Sequence, residues 1–134
     1  MLNQISVFLK NKPGVLAYFI DRLQENKIFI RALTVAKTED YGLLLLLVDQ
    51  FEKCIALLER GDYIYSTTDV IGIKTDDNIG TVYNVATLFG KHHVNIDFIY
   101  STLIGSEALI VMKVDDDEQA VSLLRENGYS LFED

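Results

Sequence analysis

The stretch LKNKPGVLAYF, from Leu9 to Phe19, holds the only proline of the 134-residue chain. Before it, QISVFLK alternates apolar and polar residues with the period of a β-strand. After it, apolar residues recur at the spacing of one face of an amphipathic helix. Pro13 and Gly14 therefore mark a turn from strand to helix, because proline fixes φ at about −65° and glycine tolerates conformations that other residues avoid.

The pattern around this turn occurs twice, as an internal sequence repeat. Residues 3–68 align with residues 69–134 without a gap, and the apolar positions agree better than the identities do. Each half has the order strand, helix, strand, strand, helix, strand, which predicts two tandem units, residues 1–67 and 68–134. The identical pairs are Ile5/Ile71, Gly14/Gly80, Ile30/Ile96, Leu43/Leu109, Val48/Val114, Asp49/Asp115, Glu52/Glu118, Leu57/Leu123, Leu58/Leu124 and Tyr63/Tyr129.

A βαββαβ unit of this size satisfies the connection rules as a ferredoxin-like α+β sandwich. We expect two antiparallel sheets of strand order 4-1-3-2, joined side by side, with the helices on one face. YSTTDVIG between the units has no proline, glycine cluster or charge run, so the fourth strand should run almost directly into the next unit. Asp49 with Glu52, and Asp115 with Glu118, have capping-box spacing and are expected to begin the second helix of each unit.

One strand in each unit is more apolar than a sheet covered on one face requires. Leu43–Val48 is apolar on both faces, as is Ile96–Tyr100 apart from Asp97, and Phe8 points away from Ile5 and Val7. Because helices cover only one face, an apolar patch would remain on the other. We expect a second copy of the chain to cover it, giving a homodimer or a larger assembly. The alternative is that the strands are simply short and leucine-rich.

Composition excludes several partners and compartments. The net charge of −8 argues against nucleic acid and against an anionic membrane surface. The longest apolar run, Leu43–Val48, is far below the ~20 residues of a membrane span, and the N-terminus lacks the features of a signal peptide. We therefore expect a cytoplasmic protein. Cys54, the only cysteine, falls in a helical apolar pattern and is expected in the core.

The sequence offers no catalytic or cofactor constellation. His92 and His93 are adjacent at a predicted helix end, so they cannot clamp one metal ion together. The acidic run Asp115–Glu118 lacks the ligand spacing and glycine of a calcium loop and suits a helix start. No phosphate-binding or dinucleotide-binding glycine pattern occurs. We expect no cofactor, no metal and no enzymatic activity.

The run LKNKPGVL resembles the first loop of the ACT domain family, small βαββαβ regulatory modules that bind amino acids. That loop typically reads Asn or Asp, any residue, Pro, Gly, any residue, Leu, and Asn11–Leu16 match it throughout. HVNIDFIYS is similar to the start of the second strand in the family. The resemblance covers the whole chain as two ACT units and extends to small stand-alone tandem ACT proteins without an enzyme domain.

The chemistry of this loop favours a ligand. The N–H groups of Val15 and Leu16 are expected to point outward at a helix N-terminus, which attracts an anion such as a carboxylate. The side chain of Asn11 can meet either end of a zwitterion. A plain helix-start turn is the alternative. The resemblance implies that ligand lies between two units paired along their second strands, with these binding residues: Asn11, Lys12, Pro13, Gly14, Val15, Leu16, Asn95 and Ile96.

The reciprocal site departs from the family pattern. Its loop lacks the proline, Asp77 would repel a carboxylate, and Phe29 stands where the second unit has Asn95. We expect this second site to be degenerate. Its candidate residues are Asp77, Asn78, Gly80, Thr81 and Phe29.

These features predict a regulatory protein that binds an amino acid, with binding shifting its assembly or its grip on a partner enzyme. The alternative is a non-binding oligomerisation or interaction module that regulates a partner enzyme of amino-acid metabolism. An enzyme on the same fold has the least support, because an acylphosphatase needs an arginine in the loop after the first strand and this loop has only Lys10 and Lys12.

Overall fold

The computed structural model describes residues 1–37 and 40–133, apart from the side chain of Lys37. The elements, in chain order, are β1 (Leu2–Lys10), α1 (Val15–Glu25), β2 (Ile30–Lys37), β3 (Tyr41–Val48), α2 (Phe51–Arg60), β4 (Ile64–Thr75), α3 (Asn78–Lys91), β5 (Ile96–Ile104), β6 (Glu107–Val114), α4 (Asp117–Glu126) and β7 (Leu131–Phe132).

The chain forms two compact units. The first unit is Asn3–Thr68, and the second begins at Asp69 and includes Met1–Leu2. The boundary falls inside β4, a single strand of 12 residues that ends one unit and begins the next. The predicted order βαββαβ, and the absence of a loop between the fourth strand and the following one, are confirmed.

Each unit has the strand order 4-1-3-2 that the sequence predicted. In the first, β3 pairs antiparallel with both β1 and β2, and β4 follows β1. In the second, β4 pairs antiparallel with β6 and β7, and β5 pairs with β6. In antiparallel strands joined in this way, the two helices of a unit are left on one face of its sheet.

Each unit has its own hydrophobic core between the sheet and the two helices. Such a core follows from strand residues that alternate in direction and helix residues that repeat every three or four positions. Cys54 is fully buried, as predicted. The first core includes Ile5, Val7, Leu44 and Leu46 of the sheet with Phe19, Leu23, Leu57 and Leu58 of the helices. The second includes Ile71, Ile73, Ile110 and Met112 with Val85, Phe89, Ala120 and Leu124.

The helix-free face is better covered than the sequence suggested. In the second unit Leu109 and Val111 point to that face, opposite Lys74 and Gly72, and both are 0% exposed in the single chain. At these two positions the helix-free face of the second unit is buried within the single chain, so the predicted patch does not extend over them. In the first unit the face stays partly open, since Phe8 is half-buried there opposite Leu43.

The helix starts differ from the capping-box prediction. The residue before α2 is Gln50, whose side chain does not cap the helix, so Asp49 has another role. The residue before α4 is Asp116, whose carboxylate accepts a hydrogen bond from Gln119 N–H at 3.1 Å. The prediction that Asp49 and Asp115 cap these helices was wrong. Both aspartates have capping-box spacing to a glutamate, but each helix begins one residue later than that spacing predicts.

Candidate functional site

The loop from Asn11 to Gly14 joins the end of β1 to the start of α1 and is exposed. It turns tightly, because Lys12 N–H donates to the Lys10 carbonyl at 2.9 Å. Gly14 has φ 86°, in the left-handed region, and no atom lies within 4 Å of the position that a Cβ would take. Glycine is thus required at this turn for its backbone conformation, and the space beside it is open.

The N-terminus of α1 keeps free backbone donors. Gly14 precedes the helix and no side chain caps it. Val15 N–H donates to the Lys12 carbonyl at 3.3 Å, so the expectation that this group is free was wrong. Within residues 1–37 and 40–133, the N–H groups of Leu16 and Ala17 donate to no acceptor. These two donors, at the positive end of the helix dipole, are available to an anion.

The N-terminus of the corresponding helix in the second unit, α3, is capped by the carboxylate of Asp77. Asp77 precedes α3, and its Oδ1 accepts from Gly80 N–H at 3.1 Å. Asp77 N–H donates in turn to Thr75 Oγ1 at 3.0 Å, and Thr75 Oγ1 lies 2.7 Å from Thr81 Oγ1. The place that a ligand carboxylate would take at α3 is therefore already filled.

A groove of about 310 Å³ lies within the second unit between the start of α3 and β5. Asn78 Nδ2 donates to Ser101 Oγ across it at 3.2 Å. Burial raises the pKa of Tyr100, which also borders the groove, to about 12. The sequence analysis named Asn78 as part of the degenerate second site and predicted β5 as a strand, but it did not name Ile99, Tyr100 or Ser101 as site residues. The lining residues are Asn78, Ile79, Val82, Ile99, Tyr100 and Ser101.

Asn95 and Phe29 occupy equivalent positions before the second strand of their units. Asn95 is exposed, and its Nδ2 donates to Asp97 Oδ1 at 3.1 Å. Ile96 packs against the second core. Phe29 is 69% exposed and has no side-chain hydrogen-bonding group. Asn11 and Asn95 belong to different units, and their joint action on one ligand stays a prediction.

Two further grooves meet at the end of β1 in the first unit. One, of about 320 Å³, includes Val15 from the candidate loop together with Asp62 and Tyr63. The other, of about 360 Å³, includes Asp40 and Tyr41. The sequence did not indicate either groove, since each is assembled from strands and loops distant in the chain. Phe8, Leu9, Lys10 and Ile64 line both of them.

The described part of the chain contains no cluster of three or more His, Cys, Asp or Glu that could hold a metal ion. His92 and His93 are both exposed at the end of α3.

Burial raises the pKa of the Cys54 thiol to about 11, so this thiol stays protonated at neutral pH. None of the helices described here is long and apolar enough to cross a membrane.

The chain belongs to the ACT domain pair family, whose model matches residues 1–134. This agrees with the two βαββαβ units and with the Asn-x-Pro-Gly loop that begins α1. No curated protein matches the chain in sequence. ACT domains are regulatory modules, and no group among residues 1–37 and 40–133 indicates catalysis.

Several solved structures share the whole fold. A protein from Bacteroides thetaiotaomicron is 27% identical with a TM-score of 0.90, over 98% of this chain and 91% of that one. The regulatory subunit of aspartate kinase from Thermus thermophilus is 13% identical with a TM-score of 0.63, over 95% and 93%. The same subunit from Thermus flavus is 14% identical with a TM-score of 0.60, over 93% and 90%. At these identities the two kinase subunits show a shared fold.

Proposed function

We propose that this chain is an ACT-type regulatory protein that binds a free amino acid, with the loop Asn11–Leu16 holding the ligand's carboxylate. The observation that carries the proposal is the open N-terminus of α1. Leu16 and Ala17 present N–H groups that donate to no acceptor in the described residues, and no side chain caps the helix. A carboxylate at such a position is stabilised by direct hydrogen bonds and by the helix dipole.

The contrast between helices supports the choice of this loop. Asp77 and Asp116 occupy the starts of α3 and α4 with their own carboxylates. Gln50 leaves α2 without a side-chain cap, but its φ of −121° lies outside the left-handed region, and its side chain donates to the Lys27 carbonyl at 2.7 Å. Of the four helices described, α1 alone begins with a glycine in the left-handed region, which keeps Cβ atoms away from an incoming ligand.

The surroundings of the loop suit a zwitterion. Asn11 is exposed and its amide carries both donors and an acceptor. Lys12 adds a positive charge beside a proposed carboxylate site, in a chain whose net charge is −8. The half-buried Val15 and the 38% exposed Leu16 offer apolar contact to a side chain. An amino acid meets these three requirements.

Structures with the same fold suggest which kind of enzyme this chain regulates. Structures with the same fold include regulatory subunits of aspartate kinase, an enzyme that acts on an amino acid. By analogy, we propose that ligand binding changes the hold of this chain on an enzyme of amino-acid metabolism. Asn95 is proposed to contribute to the same ligand, and the degenerate set around Asp77 is proposed to remain empty.

A thermal-shift panel of the protein amino acids tests the proposal. Ligand at 100 times its Kd adds about 2.7 kcal/mol to the free energy of unfolding. The variant Asn11→Ala should reduce this shift, whereas Asn84→Ala, an exposed asparagine on α3, should keep it in full. A panel that shows no shift with any amino acid would contradict ligand binding and would favour the alternative, a non-binding interaction module.

A further inference from the structure

An exposed apolar surface lies at the end of β1 in the first unit, on the side of the sheet away from the core. We call it the end surface and define it as Phe8, Lys10, Asp40, Tyr41 and Ile64, which line one groove with Leu9. Phe8 and Tyr41 lie edge to face with ring centroids 5.2 Å apart. Tyr41 is 39% and Ile64 71% exposed, so a large apolar centre faces solvent.

The end surface carries both signs of charge around that centre. Lys10 and Asp40 are exposed and line the same groove, and no ion pair joins them in the described residues. In a contact between two copies related by a two-fold axis, each Lys10 can face the partner's Asp40. A surface that holds a base and an acid beside an apolar centre is therefore complementary to itself.

The charge of the whole chain makes this surface suitable for a second copy. With a net charge of −8, two copies repel each other over most approaches. The end surface contains one cationic and one anionic side chain, so the repulsion is lower where two of these surfaces meet. A partner of opposite overall charge would be attracted instead to the acidic remainder of the chain.

The same place in the second unit carries no apolar surface. The residues that align with Phe8, Lys10, Tyr41 and Ile64 are Lys74, Asp76, Glu107 and Ser130. Of the two units, only the first therefore presents the end surface at this place. One self-complementary surface per chain closes a dimer and does not extend into a filament.

We propose that the end surface is the contact between two copies of this chain, with Phe8, Tyr41 and Ile64 at its centre and two reciprocal Lys10–Asp40 ion pairs at its rim. This dimer does not depend on ligand binding at the loop after β1.

Sedimentation velocity of the full chain tests the proposal. Wild type is expected to form dimers at about 50 µM, and Ile64→Asp to sediment as the 15.2 kDa monomer while its circular dichroism stays unchanged. Leu103→Asp is the matched control, because Leu103 is 72% exposed on β5 of the other unit. This variant should dimerise like wild type.

Reversing the charges of Lys10 and Asp40 shows whether a weaker dimer results from the loss of a specific contact or from unfolding of the variant. Lys10→Glu and Asp40→Lys should each raise the dimer Kd about tenfold, since like charges then face each other. The double variant Lys10→Glu with Asp40→Lys should return the Kd to within about threefold of wild type, because the pairs are restored with reversed sign.

Four outcomes would overturn the proposal. The first is a wild-type monomer at about 100 µM, and the second is a dimer that survives Ile64→Asp. The third is dissociation by Leu103→Asp alone. The fourth is an amino acid that binds the monomer and is lost in Ile64→Asp, which would make the groove a small-molecule site. A double variant no tighter than the singles would refute the Lys10–Asp40 pairs.

Discussion

The backbone N–H of Asn95 donates a hydrogen bond to Asp115 Oδ1 at 2.9 Å, and the Asn95 carbonyl accepts one from the Asp115 N–H at 3.1 Å. Phe29 and Asp49 make the same two bonds in the first unit, at 2.9 and 3.1 Å. The pair fastens the start of the second strand to the end of the third. This role explains why aspartate follows the third strand in both units, and it fixes the backbone of the residue proposed to meet the ligand.

We expect Asp115→Ala and Asp49→Ala each to lower the free energy of unfolding by about 0.5–1.5 kcal/mol, the usual worth of a hydrogen bond. Both carboxylates are exposed, so the larger cost of a buried unpaired donor does not apply. Urea unfolding followed by circular dichroism measures the loss. Asp76→Ala, which removes an exposed carboxylate between β4 and α3, is the control and should change little. Equal losses in all three variants would mean that the two bonds contribute nothing.

Asp77→Ala should cost about 1 kcal/mol of stability, because it removes the cap of α3. Asp116→Ala should cost the same for the same reason at α4. Neither variant should change the affinity for the amino acid, since the ligand is proposed to bind at α1. Calorimetric titration of both variants checks this expectation, together with a stoichiometry of one ligand per chain. Two ligands per chain, or an Asp77 variant that binds as weakly as Asn11→Ala, would show that the second loop is a working site.

Asn11→Ala and Asn95→Ala should each weaken binding by roughly 0.5–1.5 kcal/mol, or by about 1.5–3 if the bonded ligand group is charged. If both side chains contact one ligand, the double variant should show a coupling energy in a double-mutant cycle. Titration calorimetry with the amino acid found in the panel gives all four affinities. Additive losses, or wild-type affinity in Asn95→Ala, would remove Asn95 from the site and leave the first loop in place.

Gly14→Ala should destabilise the protein by roughly 1–2 kcal/mol, because a Cβ is strained at φ 86°. Gly90→Ala in α3 is the matched substitution, since neither glycine has an atom within 4 Å of a built Cβ. Without a positive φ, Gly90→Ala should stabilise the protein by about 0.4–1 kcal/mol. Opposite signs in thermal unfolding would support the dihedral argument, whereas equal signs would refute it.

Gly14→Val should also be the most damaging single change for ligand binding, because a branched Cβ would stand where the backbone approaches the carboxylate. Titration calorimetry below the unfolding temperature of this variant measures the effect. An affinity closer to wild type than that of Asn11→Ala would contradict the close approach.

Stability should fall as the pH rises through the range in which the Cys54 thiol ionises. Burial raises the pKa of this thiol from 9.0 to about 11, so the unfolded chain loses its proton first. The contribution is complete below pH 9 and is lost between about pH 9 and pH 11. Urea unfolding of wild type and Cys54→Ala across this range measures how the free energy of unfolding changes with pH. This change should be smaller in the variant. An equal change in both proteins would mean that the thiol is accessible to water in the folded state.

The sequence by itself determined the architecture, because its signals are local. The alternation of Ile5, Val7 and Leu9 and the helical stripe after Pro13-Gly14 each depend only on neighbouring residues. The 66-residue repeat shows the same local pattern twice, which predicts the same order of strands and helices in both units. The same locality identified Gly14 as a turn glycine and Asn11–Leu16 as the family loop.

Only the tertiary structure decided where the polar groups find their partners. Asp49 and Asp115 have the spacing of caps, yet they bond to residues 20 positions away in the chain. Asp77, predicted to repel a ligand, caps its own helix, and the grooves at β1 and β5 join segments far apart in sequence. The physical reason is that a hydrogen bond is directional and short-ranged, so its partner is set by the packed backbone, whereas hydrophobic periodicity is already present in the unfolded chain.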